Sequence, residues 1–256
     1  MTPRCVVVTG ASSGLGEALA RHYAGRGATL ALLARRESEL RQLAENLPTP
    51  SYVYPVDVTD ATAMRQAATD FMARAGVPNL VIGNAGISVG IATQNEKDLP
   101  VFERVMAVNV LGLVNTFHPF IEAMRATGTG TLVGIASVAG VRGLPGSGAY
   151  SASKAAAIAY LESLRGDLRG SGVKVVTVAP GYVETPMTAV NTYPMPFILP
   201  VDEAARRIAR VIDAGRSYAV VPWQMAIVGK LLRLLPNPVF DALFSRAGRK
   251  PRGLDL

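Results

Sequence analysis

Residues 5–16 read CVVVTGASSGLG, and this stretch decides the fold. Cys5–Thr9 is a continuous apolar, β-branched run, as expected of a strand buried on both faces of a parallel sheet. Cys5 itself is expected as a small buried residue. Gly10, Gly14 and Gly16 follow at the spacing G-x-x-x-G-x-G, and an apolar helical pattern starts at once. Glycine allows a tight turn and close backbone approach, and a helix N-terminus offers free N–H groups and positive potential to a pyrophosphate. The spacing is not the G-x-G-x-x-G of the best-known dinucleotide fingerprint. Glycines at a strand–helix junction can also be turn residues and nothing more.

The second strand pattern sharpens the reading. It ends Leu32-Leu33-Ala34-Arg35-Arg36. Folds that bind NAD usually place an acid about 20 residues beyond the glycines, where it accepts from the ribose 2′-OH; an arginine there suits a 2′-phosphate. Ala34 leaves the acid's place empty, and Arg35 supplies a planar cation, with Arg36 assisting. The expectation is NADP(H). The bland alternative is a pair of solvated arginines at the start of a helix.

Outward from these motifs, strand and helix patterns alternate. Further strands are expected at Thr29–Ala34, Tyr52–Val56, Leu80–Ile82, Thr131–Ala136, Val173–Ala179 and Tyr218–Val221. Helices are expected near 15–25, 37–46, 60–75, 100–126, 150–169 and 202–214, with Asp60 and Asp202 as N-caps of the third and last. Strict β-α alternation implies a parallel sheet with helices on both faces. The expected fold is α/β: a single-domain, doubly wound Rossmann-type fold with a mostly parallel seven-stranded sheet and a C-terminal helical extension. Residues 1–222 form the dinucleotide-binding catalytic domain and 223–256 its extension. Two stretches escape the alternation, a loop at 182–201 and the tail from Trp223.

Composition agrees. The 256 residues are 49% hydrophobic and 18% charged, enough to bury one large core. Met1–Arg4 runs directly into the first strand, leaving no room for a signal or transit peptide, and no stretch approaches about 18 uninterrupted apolar residues. One cysteine excludes an intramolecular disulfide. A cytoplasmic location is expected, with peripheral membrane contact as an added option. The net charge is +7, without a nucleic-acid motif or a basic block with interleaved aromatics, so no nucleic acid is expected. From Trp223 onward six basic residues (Lys230, Arg233, Arg246, Arg249, Lys250, Arg252) face two acidic ones (Asp241, Asp255). His22 and His118 stand far apart in helix patterns and read as structural or surface residues; no metal is expected.

Tyr150-Ser151-Ala152-Ser153-Lys154 opens a helix pattern, so Tyr150 and Lys154, four apart, share a face. A free tyrosine ionises near pH 10, and a neighbouring ammonium would favour the phenolate. With Thr9-Gly10-x-x-x-Gly14-x-Gly16, Asp57, Asn84-Ala85-Gly86, Asn109, Ser137, Tyr150-x-x-x-Lys154 and Pro180-Gly181 in order, the chain resembles the short-chain dehydrogenase/reductase family, in its single-domain branch of about this length. The match runs from residue 5 to about 221.

The resemblance implies roles. Tyr150 would exchange a proton with the substrate oxygen, which Ser137 would hold. Lys154 would bind the nicotinamide ribose and lower the pKa of Tyr150. Asn109 would hold a water linking Lys154 to solvent. Gly10, Ser12, Ser13, Gly14, Leu15 and Gly16 would form the pyrophosphate turn. Asp57 and the Val58 backbone would contact the adenine, and Asn84, Ala85 and Gly86 would lie along the adenosine, with Asn84 bracing the sheet. Pro180, Gly181, Val183 and Thr185 would lie beside the nicotinamide. The family often carries a second asparagine where this chain has Gly83, a departure expected to loosen the loop there.

The resemblance implies an NADP(H)-dependent oxidoreductase interconverting a carbonyl and an alcohol, as a homodimer or homotetramer. The alternative is a non-catalytic NADP(H)-binding sensor or scaffold; such relatives usually lose a catalytic residue, and here all four are present. Loop 182–201 stands where the family covers its substrate. Met187, Tyr193, Met195, Phe197 and Ile198 favour a hydrophobic partner molecule, and Pro186, Pro194, Pro196 and Pro200 stiffen the loop. Leu161, Leu164 and Leu168 form a helical stripe that suits either a subunit interface or the core. In the tail, Ile227, Val228, Leu231, Leu232, Leu234 and Leu235 share half a helical wheel, Pro236 and Pro238 break it, and a second short pattern follows. The tail is expected to cover the pocket or the subunit interface, to lie on an anionic membrane, or to be a disordered tail.

Overall fold

The computed structural model describes residues 5–245 and 248–253. Met1–Arg4, Arg246 and Asp255, which enter the sequence reading above, lie outside them. The elements run β1 (Cys5–Thr9), α1 (Gly14–Ala24), β2 (Thr29–Ala34), α2 (Glu37–Glu45), β3 (Ser51–Pro55), α3 (Ala61–Ala75), β4 (Leu80–Gly83), α4 (Leu99–Met106), α5 (Gly112–Thr127), β5 (Gly130–Ile135), α6 (Gly148–Asp167), β6 (Val173–Pro180), α7 (Pro186–Ala189), α8 (Val201–Asp213), β7 (Tyr218–Val221), α9 (Trp223–Leu234) and α10 (Asn237–Phe244).

The seven strands form one sheet in the order β3-β2-β1-β4-β5-β6-β7, every neighbouring pair parallel. Alternate strand residues point to opposite faces. Val6 and Val8 pack with Leu19, Tyr23, Ile208 and Ile212 of α1 and α8, whereas Val7 packs with Phe71, Phe117 and Leu161 of α3, α5 and α6. Both faces being covered, the strands read as continuous apolar runs. The strand order reverses beside β1, and the crevice at the carboxyl ends of β1 and β4 is where doubly wound sheets hold ligands.

Several expectations change in detail. Asp60 caps α3, accepting from the N–H groups of Thr62 and Ala63. Asp202 is not a cap: Pro200, extended, holds that position, and Asp202 lies in the first turn of α8, where its charge suits the helix dipole. The expected helix at 100–126 is α4 and α5 joined by a π-helical segment, Ala107–Leu111. Together with a 3₁₀ turn before it, this run (Glu96–Thr127) is long and apolar enough to cross a bilayer, but Leu113, Phe117, Phe120 and Met124 bury its apolar side in the core. Leu161, Leu164 and Leu168 are likewise core residues, which removes them as an interface stripe. Loop 182–201 is not structureless, since it holds α7 and a bridge between Val183 and Leu199. Cys5 is half-buried, its thiol donating to the Ala75 carbonyl.

Gly83 belongs to β4 and does not loosen a loop. A Cβ there would stand 2.3 Å from Leu113 Cδ1, so the core of α5 fills the space a larger residue would need. The tail forms the two expected helices, α9 and α10. Arg142 fixes their elbow: it donates to the carbonyls of Leu232 and Leu235 and to Asn237 Oδ1, and lies 4.0 Å from the centre of the Phe240 ring.

Candidate active site

The carboxyl ends of β1, β2, β4, β5 and β6 open onto one cleft of about 450 Å³. At one end lies the glycine turn. Gly10 has φ +66°, and a Cβ on it would meet the Ala85 backbone and Asn84 Nδ2 at 2.9 Å. A Cβ on Gly16 would stand 2.2 Å from the Gly10 carbonyl oxygen. Only glycine lets the turn, the start of α1 and the end of β4 approach so closely. Asn84 locks that junction, its Nδ2 donating to the carbonyls of Thr9 (3.0 Å) and Gly10 (3.3 Å). Thr9 Oγ1 accepts from the Asn84 and Ala85 N–H groups.

Ser12, Ser13, Gly14 and Leu15 line the cleft at the N-terminus of α1. Arg36 lies across them, its Nη2 donating to Ser12 Oγ at 2.9 Å and Ser13 Oγ at 2.8 Å. A guanidinium there adds to the positive potential of the helix end. Arg35, exposed on the lip, has no hydrogen-bond or ion-pair partner among the described residues, leaving its whole donor fork open. Asp57 and Val58 line the same wall. Burial alone would raise the Asp57 carboxyl, but bonds from Thr59 and Arg104 outweigh it and hold the pKa low. Arg104 Nη2 lies 2.6 Å from Asp57 Oδ2. Sequence reasoning missed Arg104, which is one more charge on a helix until the fold brings α4 against this loop.

At the other end, Ile135, Ala136, Ser137, Tyr150 and Lys154 line the cleft with Pro180, Gly181, Val183 and Thr185. Ser137 leaves β5 in extended conformation, accepts from the Ala139 N–H at 3.1 Å, and stands close enough to the Tyr150 phenol to favour its ionised form. Lys154 is 5% exposed and donates from Nζ to the Ile135 carbonyl at 2.8 Å. Burial lowers its pKa to about 8. The expected lowering of Tyr150 by Lys154 is not what this arrangement produces. Burial raises the phenol, the neighbouring Ser137 hydroxyl only partly offsets it, and the nearby Tyr182 adds to the rise.

Asn109 and Gly16 stand behind the cleft surface. The Asn109 amide spans three groups: Oδ1 accepts from the Ile87 N–H at 2.8 Å, and Nδ2 donates to the Ile87 carbonyl and to Ser153 Oγ, both at 2.9 Å. Ser153 Oγ in turn donates to the Tyr150 carbonyl. Both amide hydrogens are therefore used, so a water could be held by this side chain only through Oδ1. The π segment turns Asn109 inward, a placement π-bulges often serve. Gly86 separates the amide from the lysine, since a Cβ there would lie 3.2 Å from Asn109 Oδ1 and 3.4 Å from Lys154 Nζ.

Of the loop residues expected on the substrate side, Met187 lines the cleft and Tyr193 packs edge-on against Tyr182, 6.4 Å between ring centres. Burial, with Tyr182 and Tyr150 nearby, pushes the Tyr193 phenol up to about 12. Met195 and Ile198 are half-buried, whereas Phe197 is 50% exposed and turns away from the wall. Sequence reading passed over Tyr182. His118 is exposed and His22 sits on α1 against Tyr23; neither lines the cleft.

A family model described as short chain dehydrogenase matches residues 4–194. An uncharacterized oxidoreductase of Myxococcus xanthus is 41% identical over 252 residues, covering 96% of this chain and 98% of that protein. Sulfoacetaldehyde reductase 2 of Chromohalobacter salexigens is 37% identical over 190 residues, 73% of this chain and 75% of its own. Among solved structures, a 3-oxoacyl-(acyl-carrier protein) reductase with bound NAD from Brucella melitensis aligns with a TM-score of 0.74 at 27% identity, covering 85% of this chain and 89% of the other.

Proposed function

Since the chain belongs to the short-chain dehydrogenase/reductase family and is an oxidoreductase, we propose that it interconverts a carbonyl and an alcohol with NADP(H), Tyr150 exchanging the proton with the substrate oxygen. One observation carries this reading: Ser137, Tyr150 and Lys154 meet at one end of the cleft whose other end is the glycine turn at the N-terminus of α1. The cofactor would supply the hydride.

The residues present fit a dinucleotide. Gly10 and Gly16 let the turn, the start of α1 and the end of β4 close up behind the cleft floor, and Gly86 leaves room for Asn109 and Lys154. The α1 N-terminus and Arg36 would hold the pyrophosphate, and Lys154 the nicotinamide ribose, with Thr185 beside the ring. The open guanidinium of Arg35, beside an alanine where an acid would select NAD, supports a 2′-phosphate and hence NADP(H). Asp57, steadied by Arg104, would face the adenine. Ser137 would hold the substrate oxygen against the Tyr150 phenol. With that phenol raised by burial, Tyr150 carries its proton at neutral pH, the form that carbonyl reduction uses.

Met187, Tyr182 and Tyr193 favour an apolar substrate. The sulfonated aldehyde named for the Chromohalobacter relative is the alternative this wall argues against. The test is NADPH oxidation against a panel of ketones and aldehydes, apolar and anionic. No turnover on any member, with NADPH bound, would leave the sensor or scaffold reading instead.

We also propose two partners. A homo-oligomer through the α4–α5 layer is supported by Leu99 and Leu111, 47% and 60% exposed. Contact with an anionic bilayer through α9 and α10 is supported by an outward apolar stripe, Trp223, Ile227, Leu231 and Leu234, with Val239 and Leu243 beyond the elbow and Lys230 beside it.

A further inference from the structure

Residues 248–252 run beside the end of the cleft that Met187 lines. Gly248 lies against Tyr193 so closely that a Cβ on it would stand 2.5 Å from that of Tyr193. Lys250, 7% exposed, donates from Nζ to the Met187 carbonyl at 2.9 Å. The Pro251 carbonyl accepts from the Gly90 N–H at 3.0 Å. Arg252 reaches both oxygens of Asp98, at 2.8 and 3.2 Å. Five consecutive residues thus join the segment after β4 to the loop after β6, which place Ile87 and Met187 on the wall of the cleft that Tyr150 also lines.

The two anchorages differ in strength. On the β4 side there is a backbone hydrogen bond and a two-point ion pair to a carboxylate that the Ala92 N–H also holds. On the β6 side a buried ammonium with three N–H donors meets one acceptor among the described residues, weak compensation for a desolvated charge. Opening would therefore begin where Lys250 meets Met187, and the lip that moves is Pro186–Leu199.

We propose that residues 248–252 form a strap that closes the substrate end of the cleft and limits the bulk of the carbonyl compound admitted, with Lys250 as the positioning residue that holds the Met187 lip. This rests on the carbonyl–alcohol reading above. The strap admits small or slender substrates while closed and must release Met187 for bulky ones.

The test compares the full chain with Lys250→Ala, Lys250→Arg and a deletion of residues 248–256, each checked for NADPH binding. Hydrogen exchange at 186–199 should quicken about three- to tenfold in Lys250→Ala, as expected for one lost hydrogen bond, and return toward wild type in Lys250→Arg. The ratio of kcat/KM for a bulky aryl ketone to that for a small aldehyde should rise about tenfold or more in Lys250→Ala and in the deletion, mainly through KM. Unchanged exchange in both Lys250→Ala and the deletion overturns the strap. Faster exchange with an unchanged ratio overturns its role in selection. If no form turns over any carbonyl, the reaction reading is what fails, and faster exchange still supports the strap's hold on the lip.

Discussion

Lys154 Nζ lies 5.8 Å from the centre of the Tyr150 ring, yet its hydrogen bond goes to the carbonyl of Ile135. The pair therefore shares a face without sharing a proton in this arrangement. Tyr150 keeps its proton at neutral pH, and Lys154 stands as a buried cation whose pKa has fallen to about 8.

Replacing Tyr150 by Phe should preserve NADPH binding and cut carbonyl reduction by roughly 10²–10⁴-fold, the usual worth of a positioned acid. Fluorescence titration and steady-state kinetics measure the two halves. In the wild type, alcohol oxidation should climb as pH rises above neutrality, because it needs the phenolate, whose pKa burial has raised. Equal turnover in Tyr150→Phe would remove the tyrosine from the chemistry.

Lys154→Met should stabilise the fold while abolishing activity. The lysine's folded pKa is about 8 against 10.5, so below pH 8 the folded chain carries a charge that burial disfavours. The cost is full there, shrinks as pH rises from about 8, and is gone by about 10.5. Allowing for the lost bond to Ile135, the gain at pH 7 is about 2 kcal/mol. Denaturant melts at pH 7 and pH 10 check it; a gain that grows with pH would contradict the argument.

Arg35 and Arg36 should separate by cofactor. Arg35→Ala should weaken NADPH by about 10- to 100-fold and leave NADH alone, if the open guanidinium takes the 2′-phosphate as proposed. Arg36→Ala should weaken both alike, because Arg36 is bound to Ser12 and Ser13 at the shared pyrophosphate turn. Equal wild-type affinity for the two cofactors would refute the assignment of Arg35.

The stripe on α9 and α10 should bind vesicles containing anionic phospholipid, less so at high salt, and Ile227→Glu with Leu231→Glu should abolish binding. Flotation measures it. A wild type that never floats ends the membrane proposal. Light scattering on the same samples tests the oligomer, which a single-chain mass at micromolar concentration would reject.

Sequence by itself determined the sheet and the glycine turn, and singled out residues that the fold gathers around one cleft. Thr29–Ala34 and Tyr218–Val221 are strands at the expected residues. The residues proposed for the cofactor turn and for catalysis line one cleft, with Gly16 and Asn109 directly behind it. Strand burial and backbone turns leave such traces because they depend on residues adjacent along the chain. Tertiary structure alone decided the rest: that Lys154 would face a carbonyl, that Arg104 would hold Asp57, that Gly83 makes room for Leu113, and that a basic tail would carry Lys250 to Met187. In each case the partners lie far apart in sequence, from 19 residues for Lys154 and Ile135 to 63 for Lys250 and Met187. A charge or a glycine looks the same in sequence whichever of its many distant partners the packing brings to it.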